Sequence, residues 1–338
     1  MSPGYPTLRQ VDVHTHALPR PLLDWLAAEG LADLGGLTEG TITLDPRVSG
    51  ATTATTTPTA AAPVTLPYPV EAYDVDARLA VMDEVGVEVH AVGISPQLRA
   101  PLSTDEVFVR ELTRRSNEAL AEFVAGAPDQ LVALASVPVG LPDAADEVRY
   151  CLDELGMAGV TLGTRGAGRD LVDPVHTPLW ELLAQRHVFT LLHPVAAPDR
   201  AGSVATAIDI ALGVTALLRA GVLETYDVPL CLAYGGGALP ALRGLLQRGW
   251  ERLDEGPGLR HSPLDQLRRL YYDTATFDTL QLQQLVEFAG PAHVVMGSDF
   301  PAVLGDTDPI GVVEACQFGP VQEMITGVTA TSLLRLPG

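Results

Sequence analysis

The chain reads as an α/β protein, a single (β/α)8 TIM barrel, and three observations point there. Apolar segments of strand length alternate with helical segments along all 338 residues. Eight strand–helix pairs can be counted, more than an open doubly wound sheet usually holds. Most strands are apolar at successive positions, as expected for a parallel sheet covered on both faces by helices. The expectation is one domain over 1–338, with a lid inserted after strand 1 over 17–74.

Strand 1 is Val11-Asp-Val-His-Thr-His16, in which valines alternate with polar residues. The insertion follows. Within it, 51–63 is low in complexity and uncharged, as lids and disordered segments often are. A short hairpin is expected at 40–44. Regular alternation resumes with a helix over 76–85 and a strand over 87–94. Ser103-x-x-Glu106 is a capping box that opens a helix towards Ala125. Further strands are expected at 131–137, 158–162, 188–193, 228–234, 270–275 and 293–298. Helices are expected between them at 142–155, 174–186, 204–223, 238–253 and 280–288, and after them at 310–316 and 322–336.

Charge and composition exclude several functions. The formal net charge is −21, and all 21 basic residues are arginine. So acidic a chain repels phosphate backbones, which argues against nucleic-acid partners, although a few local arginines can still hold a small anion. With no lysine there is no Schiff base through a lysine amine. No apolar run reaches the length of a membrane span, and the first residues lack a basic stretch followed by an apolar one, so a cytoplasmic protein is expected. Cys151, Cys231 and Cys316 are widely spaced among apolar neighbours and read as reduced core residues.

In a barrel of this kind chemistry sits at the C-terminal ends of the strands. Strand 1 ends in His14 and His16, which share one face because side chains two apart on a strand project together. Strand 5 ends in His193 and strand 8 in Asp299, each after an apolar run. Three imidazoles and a carboxylate thus meet at one rim, a donor set suited to one divalent transition metal. Zn²⁺ fits the imidazole majority, with Mn²⁺ or Fe²⁺ as alternatives. Such an ion would act as a Lewis acid on a carbonyl or activate water. Strand 6 ends in Tyr234-Gly-Gly-Gly237. Two readings of Tyr234 stay open: a phenol that donates to a developing oxyanion or relays a proton, or a core tyrosine that fixes a neighbouring ligand. The glycines would let the backbone approach a ligand, but Pro240 breaks a dinucleotide fingerprint. Arg47 in the insertion and Arg165 after strand 4 are candidates for holding a substrate carboxylate. His90, His176, His187, His261 and His293 read as structural or surface residues.

His14-Thr-His16, Leu192-His193-Pro194, the strand-6 glycines, Tyr272-Asp-Thr274 and Gly297-Ser-Asp299-Phe-Pro301 together resemble the amidohydrolase superfamily. The branch is that of aminocarboxymuconate-semialdehyde decarboxylase-like metalloenzymes. The resemblance spans nearly the whole chain. It implies a (β/α)8 metalloenzyme, often homodimeric, with His14, His16, His193 and Asp299 as ligands and Asp273 behind them. Relatives in that branch decarboxylate small aromatic or dienoic acids, or hydrolyse C–N and C–C bonds. The sequence departs at strand 6, where the branch carries an acid/base His and this chain has Tyr234. It departs again at Leu245, where the decarboxylase has an arginine that reaches its partner's site.

A phenol titrates near 10 and an imidazole near 6.5, so Tyr234 is a poor base at neutral pH but a competent donor. The expectation is therefore chemistry at a carbonyl of a small aromatic acid, ester or amide. It would be hydrolysis, or a dehydrative closure of a benzoxazole-type ring in specialised metabolism, with Tyr234 and Asp299 as catalytic residues. Nonoxidative decarboxylation of a small aromatic or dienoic acid is the alternative, and a barrel that only binds a ligand is the third.

Overall fold

The computed structural model describes residues 9–49, 63–98, 103–195, 203–253 and 258–337. Eight strands form one sheet in which every neighbouring pair is parallel: β1 (Val11–Ala17), β2 (Val89–Ile94), β3 (Leu131–Ser136), β4 (Gly159–Gly163), β5 (Phe189–His193), β6 (Leu230–Leu232), β7 (Tyr271–Asp273) and β8 (Val294–Val295). Their spatial order is their chain order. Main-chain bonds from Val13 N to Met296 O (2.9 Å) and from Asp299 N to His14 O (2.8 Å) bring the last strand back to the first. The expected (β/α)8 barrel is present. Val11, Val13, Val92, Ile94, Leu162, Leu192 and Val294 are fully buried, because helices cover the outside of the sheet while its own side chains fill the inside.

The covering helices are α1 (Val75–Val85), α2 (Glu106–Val124), α3 (Ala144–Asp153), α4 (Thr177–Arg186), α5 (Ser203–Arg219), α6 (Leu239–Leu253), α7 (Thr279–Ala289) and α8 (Pro309–Ala315). Their starts follow side-chain chemistry. Asp74 caps α1 by accepting from Ala77 N, and Asp278 caps α7 by accepting from Gln281 N. The cap of α2 is Asp105 rather than Ser103. Its carboxylate takes the N–H groups of both Val107 and Phe108, so the helix begins at Glu106. The segment expected as one helix to 223 breaks at Gly221, which sits at φ 71° between α5 and a short turn at Val222–Thr225. The closing helix is a wide turn at Met324–Val328 followed by Thr329–Leu333. A Cβ at Gly327 would lie 1.9 Å from the Arg9 carbonyl oxygen, so only glycine lets this turn press on the chain entering β1.

The insertion holds more structure than a hairpin. A helix at Arg20–Ala28 buries Leu22, Leu23 and Leu26 on one side. Three strands, Ala32–Asp33, Thr41–Leu44 and Val64–Pro67, form a separate antiparallel sheet with Thr41–Leu44 in the middle. The buried Tyr68 ties this layer to the barrel by donating to the Leu18 carbonyl oxygen (2.9 Å). Most of the Thr/Ala-rich stretch expected as a lid lies outside the described residues. No helix among the described residues is long and apolar enough to cross a membrane.

Candidate active site

The end of β1 supplies His14 and His16 to the barrel interior, as the two-residue period requires. β5 ends on His193, and Asp299 lies four residues past β8. The three imidazole centroids form a near-equilateral triangle: His14–His16 5.1 Å, His14–His193 5.2 Å and His16–His193 5.2 Å. Asp299 Oδ1 lies 3.0 Å from His16 Nε2 and 3.5 Å from His14 Nε2. One donor atom from each of the four residues falls within 4.8 Å of the others, and all four residues are buried. The carboxylate faces the rings because Asp299 takes φ 64°, a left-handed turn that short polar residues tolerate.

Two of the rings are held from behind. His14 Nδ1 bonds Asp273 Oδ2 at 2.7 Å, and Asp273 Oδ1 accepts from the N–H groups of Gly235 (2.7 Å) and Ala275 (3.2 Å). His193 Nδ1 bonds the Pro194 carbonyl oxygen at 3.0 Å. Occupied Nδ1 atoms leave the Nε2 atoms aimed inward, the arrangement by which outer hydrogen bonds orient metal-binding histidines. His14 Nε2 is buried and makes no hydrogen bond.

The electrostatics call for positive charge. Burial raises the Asp12 carboxyl to about 6, against the hydrogen bonds it accepts from Ser298 and from the His14 N–H. Burial also opposes a charged His14, yet the bond to Asp273 and the charges of Asp299, Asp273 and Asp12 raise its pKa. Burial disfavours ionised Asp299, but the His16 bond, the charges of His14 and His16 and the Tyr234 hydroxyl hold it below the usual carboxylate range. Carboxylates and imidazoles arranged in this way accept either a proton or a cation. Three nitrogen donors and one oxygen donor fit a divalent transition ion, whose binding would release that proton.

Tyr234 begins a tight turn at φ 53°, and its hydroxyl donates to Asp299 Oδ2 at 2.8 Å. Its ring lies 5.3 Å from His14 and 5.7 Å from His193, centroid to centroid. The hydroxyl thus bonds a member of the cage. The glycines behind it serve packing. A Cβ at Gly236 would lie 2.9 Å from the Tyr272 ring, and one at Gly237 would lie 2.4 Å from the Ala207 carbonyl oxygen.

The two arginines part company. Arg47 is about two-thirds exposed and turns back on Asp45, with Nε to Oδ1 at 2.9 Å. Arg165 follows β4 at the rim, donates from Nη2 to buried Asp209, and keeps a buried Nε with no hydrogen bond. Asp209 escaped the sequence reading, although a lone aspartate in the apolar run of α5 was a signal. It also accepts from the Thr164 hydroxyl and from Val195 N (2.8 Å), two residues past His193.

Arg78 also escaped notice. It is fully buried on α1, donates to the His16 carbonyl oxygen and, from Nε, to that of Glu71 (3.0 Å), and lies 5.1 Å from the centre of the Phe300 ring. Burial presses its pKa down to about 9, so it stays charged at neutral pH. His90 Nδ1 accepts from it at 3.2 Å, and burial together with this neighbour keeps the imidazole neutral. His176 is likewise structural, its Nε2 accepting from Gly140 N at 2.8 Å. All three cysteines are buried and reduced.

Such a cage at the mouth of a (β/α)8 barrel defines a class, the barrel enzymes built to hold a divalent ion at their catalytic rim. The chain belongs to the amidohydrolase family, whose model matches residues 11–336. A 6-methylsalicylic acid decarboxylase of Aspergillus aculeatus is 32% identical over 318 residues, covering 86% of this chain and 84% of its own. A 2-amino-3-carboxymuconate-6-semialdehyde decarboxylase of Dictyostelium discoideum is 23% identical over 255 residues, covering 72% of this chain and 71% of the relative. Among solved structures, a dihydroxybenzoic acid decarboxylase from Polaromonas sp. JS666, with bound manganese and the inhibitor 2-nitroresorcinol, aligns with a TM-score of 0.75. It is 19% identical and covers 97% of each chain.

These relatives correct the expectation of hydrolysis or dehydrative ring closure, since all are decarboxylases. The physical reason lies in Tyr234. That expectation needed a phenol aimed at a substrate oxygen, whereas the hydroxyl here donates to Asp299 Oδ2.

Proposed function

We propose that this chain is a metal-dependent, nonoxidative decarboxylase of a small aromatic carboxylic acid. The observation that carries the reading is the cage of His14, His16, His193 and Asp299, with donor atoms within 4.8 Å of one another, in a chain whose relatives are decarboxylases. The cage would hold one divalent ion. Zn²⁺ suits its imidazole majority, and Mn²⁺ has precedent in the Polaromonas structure. When bound, the ion supplies a Lewis acid that anchors and polarises the substrate's oxygens.

The chain's own residues supply the rest. Arg165, with a buried Nε still to be bonded, offers a donor for a carboxylate or ring hydroxyl. Decarboxylation needs a proton delivered to the ring carbon. As the proton joins that carbon, the C–CO2⁻ bond breaks, its electron pair restores the ring, and CO2 leaves. Asp299, ionised at rest, is proposed to take a proton from a hydroxyl of the bound aromatic acid and pass it to the ring carbon, with Tyr234 donating to its Oδ2 and holding the carboxylate in place. In this pair the phenol need not act as a base, which removes the objection that a missing histidine raises.

The test is direct. Protein loaded with Mn²⁺ or Zn²⁺ and given 6-methylsalicylate or 2,6-dihydroxybenzoate is expected to release CO2. Chelation should stop the release, and re-addition of the ion should restore it. In the same assay Arg165→Met should raise KM more than it lowers kcat. Metal-loaded protein that releases no CO2 from a panel of aromatic acids would sink the proposal. A homodimer belongs to the same reading, supported by Leu242 and Leu245, both exposed on α6, the helix in which the branch places its partner-facing arginine. A monomeric mass by light scattering would remove it.

A further inference from the structure

We infer that Phe277 is a specificity-determining residue whose ring stacks on the aromatic ring of the substrate; the inference rests on the reading proposed above. Phe277 stands four residues past the end of β7, at the same rim as the cage. Its side chain is half exposed, at 51%, so its ring is open to a partner. It also sits at φ 58°, a left-handed conformation that a bulky residue adopts only when its surroundings impose it.

The surroundings do impose it. Thr276 N bonds the Thr274 carbonyl oxygen at 2.6 Å, and the Thr276 hydroxyl donates to the Asp278 carbonyl oxygen at 3.1 Å. Asp278 is itself fixed as the cap of α7. Thr276 packs so closely on the Tyr234 turn that a Cβ at Gly235 would lie 2.6 Å from its Cγ2. The two turns therefore form one unit, which holds the Phe277 ring tilted against Tyr234 at 6.3 Å between centroids. Tyr234 in turn touches Asp299 and the His14 and His193 rings.

An aromatic surface thus runs from the cage outward to Phe277. The loop after Asp299 exposes Val303 and Leu304, at 77% and 62%. Folding alone gains little from a strained, exposed phenylalanine, and Asn would take the same backbone conformation at less cost. A flat ring anchored by its carboxylate or hydroxyl oxygens at the cage would extend along this surface and stack its outer part on the Phe277 ring.

The experiment uses Mn²⁺-loaded protein, with 2-nitroresorcinol and 6-methylsalicylate as probes. Phe277→Asn and Phe277→Ala are expected to raise the Kd of both probes about 3- to 10-fold, the scale of one aromatic contact. Phe277→Tyr should keep wild-type affinity. The Kd for Mn²⁺ should stay unchanged in all three variants, and the Tm of Phe277→Asn should equal or exceed that of wild type. Unchanged probe affinity in Phe277→Asn would overturn this inference and leave the decarboxylase reading standing. So would a change in oligomeric mass with no change in Kd, which would make Phe277 a contact between copies. Wild-type protein that binds Mn²⁺ but neither binds nor decarboxylates any acid of the aromatic panel would overturn both.

Discussion

Asp299→Asn is expected to lower the rate of CO2 release by about 10²- to 10⁴-fold, the loss typical of a positioned proton donor. The amide keeps the shape of the carboxylate and one acceptor oxygen, so the fold should persist. It can carry no exchangeable acid proton, and it brings no negative charge to a cage with Oδ1 3.0 Å from His16 Nε2. Two consequences separate in measurement. Metal content after dialysis reports the lost ligand charge. Single-turnover CO2 release at saturating metal reports the lost proton. A variant that releases CO2 within tenfold of wild type at full occupancy would show that the proton comes from elsewhere.

Tyr234→Phe should act through Asp299, with turnover falling about 10- to 100-fold, as when an outer hydrogen bond to a metal ligand is removed. The hydroxyl donates to Oδ2 and so favours the ionised carboxylate. Without that bond the Asp299 pKa rises. The acid limb of the rate profile, where Asp299 loses its charge, should therefore move to higher pH. A drop in turnover with an unmoved limb would mean that the phenol meets the substrate itself. No drop would reduce Tyr234 to packing.

The barrel and its cage are legible in the sequence because both follow from period. His14 and His16 are two apart on a strand and must point together. His193 and Asp299 follow apolar runs whose ends the fold collects at one rim. What stayed hidden depends on contacts between distant segments. Arg78 follows the cap Asp74 by four residues and looks like a surface arginine. Its burial appears only once Phe300 and Phe123 close over it, 5.1 and 5.6 Å from ring centre to guanidinium carbon. Phe277 carries no periodic signal, since its importance lies in one backbone angle and its neighbours. The strand-6 glycines suggested an approach to a ligand, whereas their partners are Tyr272 and Ala207. The order of the functional readings went astray for a related reason. Tyr234 was weighed by the pKa of a lone phenol, and its pairing with Asp299 is a tertiary fact.

Asp273 has a consequence that reaches past the cage. One oxygen takes the His14 ring and the other takes the amide of Gly235, the residue after Tyr234. Loading the barrel mouth and setting the phenol are therefore not separate events. Whatever swings the imidazole pulls on the loop that bears the tyrosine, and by reciprocity a rearranged loop would loosen the grip on the ion.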